Sequence, residues 1–273
     1  MFHYHRRQTG FAVGFSILKL IFNCTVRKVR QSHGSPIIGL LLAMSQTLML
    51  VVFFSFMMNV LAMRGTAIRG DFVLYIMSGI FLFITHNAAI KSVSKAETAD
   101  SAMMQHAPMN TAIAISAAAL SSLYIQTLSV IVILSVYFLG WGVAPVQYLP
   151  GAICMFFLSW LSGVSIGLIF WSLSPWFPQF TQITTTIYTR ANMITSGKMF
   201  LANTLPGSLL VLFSWNPLFH CIDQARGFVF VNYTPHNSSV TYPIIFTAVL
   251  LTIGLLAQFF TRTRVSASWG AGR

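Results

Sequence analysis

Between Asp100 and Arg190 the chain has no Asp, Glu, Lys or Arg, and within that run lie two apolar blocks, Thr111 to Leu139 and Leu149 to Leu173. A hydrocarbon core about 30 Å thick is crossed by about 20 helical residues rising about 1.5 Å each. Each block is long enough to cross a bilayer, so the chain is expected to live in a membrane.

Composition agrees. Only 7% of the residues are charged and 56% are hydrophobic, at a mean hydropathy of +0.74; a soluble domain of 273 residues would expose large apolar patches at such values. The formal charge of +12 could suggest nucleic acid, but the Lys and Arg are scattered along the chain at helix ends, where they would meet lipid headgroups. No nucleic-acid partner is expected. Cys24, Cys154 and Cys221 are too far apart for a disulfide framework or a metal spacing.

Apolar blocks give six spans, 37–62, 72–90, 111–139, 149–173, a weaker one at 180–202, and 242–260. The stretch from Leu205 to Phe219 is broken by Pro206, Gly207 and Pro217, so 205–227 reads as a re-entrant hairpin rather than a further crossing. Eleven Lys and Arg precede the first span, follow the second or follow the last, against Arg64, Arg69, Lys198 and Arg226 on the other side. Both termini are therefore expected in the cytoplasm. Residues 11–30 repeat Phe11, Phe15, Leu18, Phe22, Val26 and Val29 on one face and Ser16, Lys19, Asn23, Arg27 and Arg30 on the other. That pattern, with no small-residue cleavage site, predicts an interfacial helix rather than a signal peptide; a surface helix packed on the bundle is the plainer alternative.

Several chemistries lack their residues. Gly197-Lys198-Met199 has neither the upstream glycine nor the hydroxyl of a phosphate loop, so no nucleotide site is expected in this chain. The four acids, Asp71, Glu97, Asp100 and Asp223, fall in loops or near span ends, which weakens ion-coupled transport. The histidines stand singly, apart from His3 and His5 near the start, and His86 in the second span fits a satisfied polar contact better than a base. No catalytic residue and no metal site are predicted.

After the hairpin's first arm comes Asn216-Pro217-Leu218-Phe219-His220-Cys221-Ile222-Asp223-Gln224-Ala225-Arg226. Asn216 can cap a helix that has Pro217 in its first turn. His220, Asp223 and Arg226 recur every three residues, so Asp223 can pair with Arg226. The trio either holds a short helix in place or touches substrate. The run resembles the signature before the last transmembrane helix in membrane subunits of type 2 ABC exporters, most closely those of capsular polysaccharide. Ser196-Gly197-Lys198-Met199-Phe200 with Leu205-Pro206 is similar to a second stretch of that family, although Asp223 stands where close relatives often have Glu.

The resemblance implies an all-α permease of the bacterial inner membrane, not an enzyme, with both ends cytoplasmic and two copies forming a channel. A separate ATPase subunit would bind ATP and Mg and dock on Arg27, Lys28, Lys95, Glu97 and Asp100. Periplasmic and outer-membrane export proteins are further implied partners. The gate would be Asn216, Pro217, His220, Asp223 and Arg226. Arg190, Tyr188, Thr186, Phe180 and Trp215 are the candidate substrate path, because a cation among threonines at that depth is costly without water, a partner or an anion. Trp171, Trp176, Phe177 and Phe219 extend an aromatic group that would stack on sugar rings or form a membrane belt. Export of another amphiphile by the same architecture (O-antigen, teichoic acid, lipid or drug) is the alternative, followed by an ATP-independent channel or structural subunit.

Overall fold

A computed structural model describes residues 10–31, 35–60, 71–97, 110–142 and 146–264, and among these there is no β-strand. The helices are α1 Gly10–Gln31, α2 Pro36–Val60, α3 Phe72–Ser94, α4 Thr111–Trp141, α5 Leu149–Leu173, α6 Pro178–Thr195, α7 Gly207–Phe213, α8 Pro217–Val229 and α9 Thr241–Arg264. Five of them, α2, α3, α4, α5 and α9, are long and apolar enough to cross a membrane. α6 is not among them. It stops at Thr195, short of the expected residue 202, because Gly197 turns the chain at φ 72° and a 3-10 turn over Ala202–Thr204 follows.

The centre is α3 against α5. Ser159, Gly163 and Gly167 recur every four residues on α5 and face Leu82, His86 and Ile90, which recur likewise on α3. The Ser159 hydroxyl donates to the Leu82 carbonyl at 2.9 Å, and a Cβ on Gly163 would fall 2.4 Å from the His86 carbonyl oxygen. Small residues thus let two backbones touch, the packing that substitutes for a hydrophobic drive in lipid. Side chains also bond across helices to backbone carbonyls: Ser92 to Ala118, Trp160 to Ala119, Trp171 to Ala96 and Thr261 to Ser172, all within 3.1 Å. α2, α4 and α9 stand outside this pair and expose Phe53, Val136 and Leu256. Such faces suit lipid and not water.

α1 has three faces, not two. Phe11, Phe15, Leu18 and Phe22 are exposed, and so are Asn23, Arg27 and Arg30 on the polar side. A third side, with Leu20, Ile21, Cys24, Thr25 and Lys28, is partly buried, and α1 packs chiefly on α4. Burial holds the Lys28 ammonium below its ordinary pKa, while the charge of Glu97 acts the other way.

Candidate functional site

The signature residues lie in a polar knot between α8, the turn after α6, and α3. Asn216 caps α8 by accepting from Leu218 N at 3.0 Å, and Pro217 fills the first turn, where no amide proton is needed. Arg226 reaches back across the turn and donates to the carbonyls of Gly197 at 2.8 Å, Phe200 at 2.8 Å and Lys198 at 2.6 Å. Its guanidinium also lies over the Tyr75 ring, 4.2 Å from the centroid. Gly197 is required here twice: by its positive φ, and because a Cβ would come 2.8 Å from Phe219.

Asp223 does not pair with Arg226, contrary to the sequence expectation. Its carboxylate accepts from the Tyr233 hydroxyl at 2.5 Å, the Ser238 hydroxyl at 2.7 Å and the Ala202 amide at 3.4 Å. One turn of helix separates the two side chains, and each is drawn to a different strand of loop. Burial and the adjacent carboxylate push the Tyr233 phenol well above its usual range, so it stays a donor. His220 accepts from the Ser239 amide at Nδ1, 3.1 Å, and its Nε2 lies 2.7 Å from the Ser214 carbonyl, which places the proton on Nε2. Nothing in sequence pointed to Tyr233 or Ser238, because their link to Asp223 is made by the returning loop.

Lys198, counted above among charges at the membrane surface, is buried. Its ammonium lies 3.5 Å from the centroid of the Phe83 ring and 5.1 Å from that of Phe54. Tyr75 and Phe83 are eight residues apart on one face of α3, so both cations lie along a single aromatic stripe.

The candidate path residues separate. Tyr188 turns inward: its hydroxyl lies 3.4 Å from His86 Nε2 and its ring packs on Phe170. Arg190, two residues on and so about 200° around the helix, is exposed, as are Thr186, Phe180 and Trp215. Trp171 and Phe219 belong to the core, while Trp176 stacks on Phe260. The threonines of α6 are not free polar groups. The hydroxyls of Thr181, Thr184, Thr185, Thr186, Thr189 and Thr195 each donate to the carbonyl four residues back. A helix that satisfies its hydroxyls internally is far less polar than its composition.

His86 is a satisfied core residue, with Nδ1 at 3.0 Å from the Ser159 carbonyl and 2.9 Å from the Ser162 hydroxyl. Asn192, missed as a site residue, ties three helices. It accepts from Asn216 Nδ2 at 2.8 Å and donates toward Asn87 at 3.5 Å. A polar residue on the buried side of a Thr-rich helix was the available signal.

Of the expected docking residues, Arg27 and Lys95 are exposed, Lys28 faces the Glu97 charge, and Asp100 lies outside the described residues. A shallow cavity of about 350 Å³ opens between Asn23, Val26, Arg27 and Arg30. Among the described residues, no three of His, Cys, Asp or Glu come together as a metal centre.

No protein-family model matches the chain. Two Escherichia coli proteins, both named polysialic acid transport protein KpsM, are 26% identical over 261 residues and 25% identical over 260 residues. Each alignment covers 93% of this chain and 96% of the relative. The similarity runs nearly end to end, and it supports the resemblance to ABC permeases of polysaccharide transport that the signature residues carried.

Proposed function

We propose that the chain is the channel-forming subunit of an ATP-driven exporter that moves a capsular or related surface polysaccharide out of the cytoplasm across the inner membrane. The observation that carries this is the likeness to two polysialic acid transport proteins along almost their whole length. On this reading two copies form the channel, and ATP and Mg are held by a separate subunit. α6 is the fifth of six crossings, since its 18 residues reach about 27 Å and its hydroxyls are satisfied internally. α7 and α8 form a re-entrant pair before α9, and both termini are cytoplasmic. Arg190 and Thr186, on the exposed side of α6, are the path residues this supports best; Tyr188 is not one. An acidic polymer suits Arg190, because a guanidinium binds carboxylates in a fixed fork.

Deleting the chain from its source cell should trap the polysaccharide in the cytoplasm. Normal surface polysaccharide after deletion would refute the reading, and accumulation of a different amphiphile would redirect it. Docking is supported by the basic face around the α1 cavity. Arg27→Glu with Arg30→Glu should weaken co-purification of the ATPase subunit and leave membrane insertion intact; unchanged co-purification would remove α1 from the docking surface.

A further inference from the structure

α6 is held to the rest of the fold by little. Of its 18 residues only Thr181 and Asn192 are buried, and its packing on α3 and α5 is slight. Beside the packing of the Tyr188 ring on Phe170, what ties it is a chain of polar side chains that the reading above leaves without a role. At the C-terminal end of α6 the ties are short: Asn216 Nδ2 donates to Asn192 Oδ1 at 2.8 Å and to Thr195 Oγ1 at 2.9 Å. Toward α3 they reach the limit of a hydrogen bond. Tyr188 Oη to His86 Nε2 is 3.4 Å, and Asn192 Nδ2 to Asn87 Oδ1 is 3.5 Å.

The two ends of each tie differ in firmness. Asn216 belongs to α8, which the Arg226 and Asp223 bonds fix to its surroundings, and His86 is fixed by Ser159 and Ser162. Tyr188 and Asn192 are the movable partners. Because Tyr188 and Arg190 point to nearly opposite sides of α6, the inward tie of the first sets where the second stands.

We propose that Tyr188 and Asn192 are positioning residues of the transport path: the Asn216 bonds form a pivot at the C-terminal end of α6, and the long ties to His86 and Asn87 form a latch that holds the Arg190 face outward and parts when the helix moves. This rests on α6 lining the path. Weak bonds suit such a role, since a side-chain bond inside a membrane bundle contributes little to stability and so parts at little cost.

The test is a pair of spin-label distances in the full chain reconstituted in lipid nanodiscs, with Cys24, Cys154 and Cys221 changed to alanine. Labels at Ile183 on α6 and Ile131 on α4 report the latch; labels at Ile131 and Ile253 on α9 are the reference. Tyr188→Phe removes one oxygen and keeps the ring, and Asn87→Ala opens the other tie from the α3 side. Each should shift or broaden the α6 distance by several ångström and leave the reference unchanged. An α6 distance unchanged in both variants overturns the latch, and equal broadening in both label pairs does so too, since it reports general loosening. If one variant does not fold, the other decides. Export is scored separately. Altered distances with normal export uphold the latch and remove α6 from the path, whereas unchanged distances with lost export overturn the latch and spare the path.

Discussion

α6 and α8 each carry one arginine, and they treat it in opposite ways. Arg226 on α8 is buried, with three carbonyls and an aromatic face around it. Arg190 on α6 is exposed and has no hydrogen bond or ion pair among the described residues. Three of the Arg226 donors are committed to carbonyls of its own chain, and the rest of the group, Nε included, is buried away from any passing polymer. The difference teaches that the signature motif builds the frame; on the proposed reading, the cation that meets cargo lies outside the motif.

The contrast can be broken first at Arg226. Arg226→Leu strips the turn of its donor and leaves three carbonyls unsatisfied, a loss of about 3 kcal/mol or more, since each buried orphan costs about 1–3 kcal/mol. Folded protein recovered in detergent should fall sharply. Arg226→Lys should not restore it, because an ammonium cannot replace a planar fork. A stable Arg226→Leu protein would mean that α8 is not fixed as argued. Gly197→Ala should be milder, on the order of 1–3 kcal/mol from the left-handed backbone and the Phe219 contact, seen as a lower unfolding temperature.

At Arg190 the expected result inverts. Arg190→Gln should fold and assemble like the parent while surface polysaccharide drops at least tenfold, with Arg190→Lys intermediate. Loss of assembly instead would make Arg190 a structural residue like Arg226. Smallest of all is Thr186→Val. Its hydroxyl is engaged with Gln182 O in its own helix, so the change in stability should stay within about 0.5 kcal/mol. A large fall would show that this hydroxyl serves something beyond the helix.

The apolar spans were legible because a long uncharged run has few other solutions in lipid, and α5 begins and ends at the expected Leu149 and Leu173. The pairing of α3 with α5 was not. Ser159, Gly163 and Gly167 announce a close approach, but no residue says which helix will come near. The failures have a common cause. Spacing along one helix suggested an Asp223 to Arg226 pair, while both groups found better partners in loops that sequence distance hides. From sequence Lys198 reads as a surface charge, because hydropathy sees a cation and not the aromatic faces of Phe54 and Phe83. The threonines of α6 read as demanding polar company for the same kind of reason: the scale records the hydroxyl and ignores the carbonyl four residues back.

Asn192 carries a consequence for the order in which the molecule is made. Its partners are Asn87, synthesised about a hundred residues earlier, and Asn216, synthesised after it. When α6 emerges from the ribosome one partner is waiting and the other does not yet exist. On the six-crossing reading, this helix therefore enters lipid with half of its amide unmet and must linger near the insertion machinery until α8 arrives. The final third of the chain would then settle as one unit onto a seat of α3 and α5 already in place, and a nascent chain halted before Pro217 would be the form most exposed to quality-control proteolysis.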